Sequence, residues 1–444
     1  MEMLSGALLL VLTAVILAVM FGQGRSGDVA WLSTRNLFLV GFIYFQTVSG
    51  AITAFSGLNE RGLFLNEPGR AAIVFTLIAA AFTGVFLWSY GRFRQLMRTS
   101  SGMQPARSEL SGLAAGLIAI VGVLAGLLFR FVLGTVPILG VITIQLSVGM
   151  LTAACCLAAY AWSRNFWNPA SVLTLVAVTS TSVAALLVNA FGRREILGVF
   201  MSMAFSLYYL KWRSMPKWQL LIRAAIWTTV ALVAVVILSA ARSSGQKERS
   251  VGDYVAAIAA LSPADLVEQV VGGAVGQFAG GTSMWVIETR PGEFPYDTLH
   301  SLVYTATFPI PRQYWEGKPN SLGRTITEQC LISGVSNEHS FGPGLVGHIV
   351  NDNPWLALPL YGVLLGWLFA AIDSRLARHD RDPLEVVVLG AGVSQIFALA
   401  RGELGLFVIN ALGTMAGAWM LARPFGFLRR EQPDIEMDGA DREG

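Results

Sequence analysis

The chain has 444 residues, of which 54% are hydrophobic and 13% charged, with a formal net charge of +3, and its mean hydropathy is +0.59. Soluble domains carry about 25% charged residues, so this composition excludes an ordinary water-soluble globule and requires the bilayer as solvent. No nucleotide-binding loop, zinc spacing or nucleic-acid signature occurs, which excludes those classes on motif grounds.

Crossing the ~30 Å hydrocarbon layer takes about 20 apolar residues in a helix. About eleven such runs follow in chain order, roughly 4–21, 36–56, 70–90, 110–130, 137–161, 169–190, 195–210, 220–241, 355–372, 384–400 and 404–422. The first lacks the basic start and small-residue cleavage site of a signal peptide, so it counts as a span. The seventh is short and ends on Tyr208, Tyr209 and Trp212, an aromatic belt at an interface. The expected fold is an all-α polytopic membrane protein of about 11 transmembrane helices. Residues 1–241 hold helices 1–8, 242–354 form a large loop, 355–422 hold helices 9–11 and 423–444 are a tail.

Short-loop Lys and Arg set the orientation. Arg92, Arg94, Arg98 and Arg107, then Lys211, Arg213 and Lys217, then Arg375, Arg378 and Arg381, then Arg423, Arg429 and Arg430 all fall on one side of an eleven-helix count. That side is expected to be cytoplasmic together with the C-terminus, which places the large loop outside. Arg193 and Arg194 fall on the outer side, against this trend. Cys155 and Cys156 sit mid-membrane and Cys330 is alone in the loop, so neither a disulfide staple nor a metal spacing is expected there.

The loop holds three of the four histidines (His300, His339, His348) and eight of the seventeen prolines. Its first half, 253–287, has helical character, with Ser262 as N-cap, Pro263 at the first position and Leu266, Val270, Val271 and Val275 as an apolar stripe. A helix over the bundle or on the membrane surface is the ordinary reading. The run Gly272, Gly273, Gly276, Gly280 and Gly281 points to close backbone approach or mobility. The second half runs through Pro309, Pro311, Arg312, Trp315, Lys318 and Pro319, with Arg324 just beyond. Proline fixes the backbone, so Arg312 and Lys318 are held at low entropic cost. Glu338, His339, the Phe341-Gly342-Pro343-Gly344 run and His348 follow. The loop counts seven Lys/Arg against eleven Asp/Glu, which suits one locally bound phosphate rather than a polyanion. Simpler readings stand beside these: Trp315 as a headgroup anchor, His339 and His348 as hydrogen-bonded structural histidines, and Arg312 and Lys318 paired with Glu316.

The pattern Pro309-x-Pro311-Arg312-x-x-Trp315-x-x-Lys318-Pro319, then Phe341-Gly342-Pro343-Gly344, resembles the O-antigen polymerase (Wzy-type), or oligosaccharide repeat unit polymerase, family. The turn Arg401-Gly402-Glu403 resembles that group too. The specific part covers about 45 residues, roughly 308–352. The resemblance implies a GT-C-like bundle in the bacterial cytoplasmic (inner) membrane, with the loop between helices 8 and 9 periplasmic. It implies a metal-independent transfer, with no cofactor, of a glycan from its undecaprenyl diphosphate carrier to a lipid-linked acceptor. A chain-length regulator is a further possible partner, and nucleic acid is not.

Such a leaving group gains negative charge, which arginine or lysine must stabilise without a metal. Arg312 and Lys318 are the first candidates, with Glu338 or His339 as general base. Arg193, Arg194, Arg324, Arg401, Glu403 and Trp315 are candidates for substrate binding, Glu403 also for the base. Arg193 and Arg194 read equally as snorkelling interface residues. Two alternatives stay open: an O-antigen ligase acting on lipid A core, and a lipid-linked glycan transporter or flippase. Transporters favour mid-membrane charge and broken helices, and mid-span charge is sparse here.

Overall fold

Inside lipid every backbone N–H and C=O must be satisfied internally, which makes helices of these apolar runs. The computed structural model describes residues 2–25, 29–57, 63–99, 108–136, 140–187, 193–216, 218–227, 279–330, 340–378 and 382–428, with 229, 262, 430 and 431. Among them, eight helices are long and apolar enough to cross a membrane. They are α1 (Glu2–Arg25), α2 (Thr34–Ser56), α3 (Pro68–Thr99), α4 (Gly112–Phe131), α5 (Gly140–Arg164), α6 (Pro169–Leu187), α13 (Pro354–Arg378) and α16 (Leu404–Ala422). Two shorter apolar stretches accompany them: α7 (Arg193–Leu210), and the pair α14 (Pro383–Ala391) and α15 (Val393–Ala398). The chain is thus a multi-pass, helical membrane protein; among the described residues one short strand pairing joins Ser108–Glu109 to Arg430–Glu431.

Of the expected span 220–241, helical residues 218–227 (here α8) and 229 are described, and the remainder lies outside the described residues. So does most of the expected helix over 253–287, including everything from Pro263 to Phe278. Its described end is α9 (Gly280–Thr289), which is buried nearly throughout rather than lying on a surface. Gly280 is the reason: a side chain there would overlap the backbone of Gly50 on α2.

Two spans depart from regular α geometry. Residues Ile43–Val48 of α2 form a π-helical segment, and the tenth expected span breaks at Gly392 between α14 and α15. The bundle itself packs closely, because α5 and α16 place glycines where they cross. A Cβ at Gly149 would meet the Thr414 carbonyl, and one at Gly417 the Leu146 carbonyl. Small residues let backbones approach in this way where lipid offers no hydrophobic drive for helix association. The α2, α3 and α13 helices share a ladder of rings, Phe38, Phe82, Phe86 and Phe369, with Phe38 5.0 Å from Phe86 and 5.3 Å from Phe369.

The arginine-bearing helix ends gather at one end of the bundle. Arg378 donates to the Met97 carbonyl (2.8 Å), Arg164 pairs with Glu109 (3.4 Å), and Lys211 donates to the Ser163 carbonyl. Asp373 is buried there and accepts from Thr34 N (2.8 Å), Thr34 Oγ1 (2.9 Å), Arg35 N (3.3 Å) and Tyr90 Oη (2.9 Å). It thereby caps α2, whose Ser33 N-cap accepts from Asn36 N. At the opposite end, beside the start of α3, sits a cap of short helices: α9, α10 (His300–Thr307), α11 (Leu322–Gln329) and α12 (Gly344–Asn351). The cap has its own apolar core around Trp285, Val286, Leu322, Ile326 and Phe341.

Candidate functional site

The cap hangs on carboxylates that stand before two spans and on one histidine of α12. Asp352, just before α13, accepts from Ser301 N (2.9 Å) at the start of α10 and from Asn351 Nδ2 (3.0 Å), and the Tyr361 hydroxyl donates to it. Glu403, just before α16, accepts from Leu322 N (3.1 Å) and Gly323 N (3.2 Å) at the start of α11. A carboxylate at a helix N-terminus meets unpaired N–H groups and the positive end of the helix dipole. His348 lies between the two: Nδ1 is 2.6 Å from Ser301 Oγ, and Nε2 is 3.2 Å from both Gly402 O and Leu404 N and 3.8 Å from Glu403 Oε1. Ser301, His348 and Asp352 are fully buried. The Ser-His-Glu sequence of contacts is therefore a buried structural tie between cap and bundle.

On α10, His300 stacks on Tyr304 one turn on, and Tyr304 meets Phe308, just past the helix, edge to face. His300 bridges Asp297 Oδ2 (2.6 Å) and the Asn320 carbonyl (2.9 Å). Tyr304 lies between Glu403 and Arg312 in charge terms: burial, then Glu403, push its hydroxyl up to about 12, and Arg312 opposes them.

The proline-framed segment is stapled by its own cations. Arg312 Nη1 donates to Lys318 O (3.1 Å), and Nη2 donates to Pro319 O (3.1 Å) and Asn320 Oδ1 (2.6 Å). Lys318 Nζ donates to Phe308 O (2.8 Å) and Ile310 O (2.9 Å) and sits 5.4 Å above the Phe308 ring. Burial, then Arg312, lower the lysine's pKa. A guanidinium has five N–H donors, so Arg312, which is exposed, keeps two outside these bonds. Tyr314 and Trp315 are exposed at the tip.

The structure redistributes several sequence-predicted roles. Glu403 is 8% exposed with both oxygens held by amides, so it positions the cap rather than meeting substrate or acting as a base. Arg324 pairs with Glu328 (3.0 Å) on an exposed helix face, an arrangement worth ~0–1 kcal/mol, and Arg312 and Lys318 contact main-chain carbonyls rather than Glu316. Arg401 is half-buried, and its carbonyl lies 3.1 Å from where a Cβ on Gly342 would sit. The Phe341–Gly344 run therefore packs directly on the Arg401–Gly402 turn. Gly344, at φ +65°, leaves that turn against Gln46 of the π-helical segment, whose Nε2 donates to Ala400 O (2.7 Å). Arg193 and Arg194 begin α7, and Gly198 of that helix packs on Ser394 of α15; the two arginine side chains lie outside the described residues, as do Glu338 and His339.

Ser301, Tyr304, Asn320, Asp352, Tyr361 and Arg290 belong to this region and are missing from the sequence-based set. Among the described residues, no group of three or more His, Cys, Asp or Glu side chains gathers as a metal site. No protein-family model, curated protein or solved structure matches this chain.

Proposed function

We propose that this protein is a membrane glycosyltransferase that polymerises undecaprenyl-diphosphate-linked oligosaccharide repeat units into a surface polysaccharide, in the bacterial inner membrane with the cap outside the cytoplasm. The observation that carries the reading is the meeting of three distant segments. The Arg312–Pro319 staple, the Phe341–Gly344 run and the Arg401–Glu403 turn come together through Asn320, Leu322, Gly323 and Gly342.

In the proposed reaction the bond from the donor sugar to the diphosphate breaks and the diphosphate keeps the electron pair. The acceptor hydroxyl oxygen forms the new bond and releases its proton to a base. Arg312 turns its remaining donors to the departing diphosphate, where charge-assisted, geometrically fixed hydrogen bonds are most effective. Lys318 holds the Arg312 frame and adds charge, and Trp315 lies beside them for the sugar or the headgroup layer. Glu338 and His339 remain the candidates for the base.

The test is a glycan ladder gel on cells that lack the gene and carry either wild type or Arg312→Ala. Loss of long chains with single repeats retained on the core supports polymerisation and the role of Arg312. Undiminished long chains in the variant sink the assignment of Arg312. Long glycan stranded on the lipid carrier in the deletion strain makes the protein a ligase. A transporter is a second reading, favoured by the break at Gly392 within a span. Movement of lipid-linked glycan in proteoliposomes without a new glycosidic bond selects it.

A further inference from the structure

Three arginines are buried among the described residues: Arg35, Arg130 and Arg290. The guanidinium of Arg35 has partners at all three nitrogens, Asn36 Oδ1 at Nε (3.1 Å) and Nη2 (2.6 Å) and Gln23 at Nη1, and Arg130 has Glu195 as its electrostatic partner. Arg290, at the end of α9 in the cap, differs. It is 6% exposed, and its hydrogen bonds go only to neutral groups: Nη1 to Thr289 Oγ1 at 3.4 Å and Nη2 to Gln329 Oε1 at 3.1 Å. Its Nε is buried with no acceptor among the described residues. No described carboxylate lies within 4.0 Å. Asp297 and Asp352 attract it from farther away, against the larger effect of burial, which lowers its pKa. Both acids have nearer partners, Asp297 in His300 and Asp352 in Ser301, Asn351 and Tyr361.

A buried cation without a close counter-charge is costly, and a buried orphan donor adds to that cost. Arg290 borders the apolar core of the cap at Phe294, whose ring centroid is 5.6 Å from the guanidinium carbon. We infer that Arg290 is a binding residue for a ligand oxyanion, which completes the site by taking the Nε–Nη2 edge of the guanidinium. That edge matches the spacing of two oxygens of a phosphate or carboxylate, and the ligand displaces the neutral Gln329 amide, which is only half-buried.

On the proposed reaction, on which only the anion's source depends, that oxyanion is either the diphosphate of the lipid carrier or the carboxylate of an acidic sugar in the glycan. The test uses the full chain in nanodiscs, with inorganic pyrophosphate and glucuronate as separate probes, and reads ligand-induced thermal shift and affinity. Wild type is expected to be stabilised by one of the two probes, with saturation. Pyrophosphate identifies the carrier as the source, and glucuronate the glycan. In Arg290→Met the shift is expected to vanish, while Arg290→Lys, which keeps the charge and loses the fork, binds at least about tenfold more weakly. Arg290→Lys carries the test if Arg290→Met does not fold. Arg70→Ala, which removes a cation of an exposed ion pair with Glu67 at the start of α3, is the control and should retain the shift.

A wild type stabilised by neither probe overturns the inference. So does a shift that survives in both Arg290 variants. Retention of the shift in a protein that makes no polysaccharide would instead overturn the proposed function and leave the anion site standing.

Discussion

Replacing Glu403 with alanine should release the cap from the bundle locally, without unfolding the spans. The carboxylate accepts two backbone bonds, at 3.1 Å and 3.2 Å, and is 8% exposed. Each buried amide left without its acceptor costs about 1–3 kcal/mol. Taking roughly 3 kcal/mol for the pair, because water can reach part of α11 once it loosens, local opening becomes about 150-fold more frequent at ~1.4 kcal/mol per tenfold. Glu403→Gln keeps one acceptor and loses the charge, and should fall near tenfold by the same arithmetic. Hydrogen–deuterium exchange on peptides spanning 318–330 measures this directly. Exchange there should accelerate in the order wild type, Gln, Ala, with peptides of α5 and α16 unchanged. If alanine leaves exchange in 318–330 at the wild-type rate, the clamp is not what holds α11. If α5 and α16 accelerate equally, the effect is global and the positioning argument fails.

Other consequences can be measured separately. Lys318→Met removes two bonds to carbonyls and the contact over Phe308, so limited proteolysis should cut near 308–320 faster than in wild type; equal cleavage argues against the staple. Burial pushes the Cys330 thiol up to about 11 from 9.0. Below both values the thiolate fraction falls tenfold per unit of pKa, so at pH 8 Cys330 should alkylate about 100-fold more slowly than a free thiol, and its rate should keep climbing through pH 10. A plateau near pH 9 would show that the thiol is not buried as described. Asp373→Ala strands three donors at the arginine-rich end, Thr34 N, Arg35 N and Tyr90 Oη; each buried donor left unsatisfied costs about 1–3 kcal/mol, so the thermal midpoint in detergent should fall clearly, and an unchanged midpoint would refute the network's role.

Much of the bundle was legible because lipid imposes one rule on long apolar runs. Length and composition found the eight long spans and the short seventh. What remained illegible has local causes of another kind. The run 384–400 is evenly apolar, so nothing marks Gly392 as a break, and the π-helical turn at Ile43–Val48 has no composition of its own. Glu403 and Asp352 stand before long helices like ordinary turn residues. Their real partners, Leu322 with Gly323 and Ser301, lie far off in sequence and belong to short helices with weak periodicity. Arg312 and Lys318 could be picked out through their proline frame, but not the carbonyls they hold, since backbone acceptors leave no trace in side-chain identity. Arg290 was hidden for a different reason: its importance lies in the neutrality of its neighbours.

The loop's excess of acid, seven Lys/Arg against eleven Asp/Glu, would suggest a surface that repels a diphosphate. Among the described residues, several of these acids are placed against helix N-termini or cations. Glu288 accepts from Asn66 N (2.9 Å) and Glu67 N at the start of α3. Asp352 does the same for α10, and Glu403, from the neighbouring turn, for α11. Each carboxylate faces the unpaired amides and the positive dipole end of a helix distant in sequence, which offsets part of its charge where it sits. Asp297 and Glu328 face His300 and Arg324. These described acids thus fix the helices of the cap to the bundle, which is where their charge is spent.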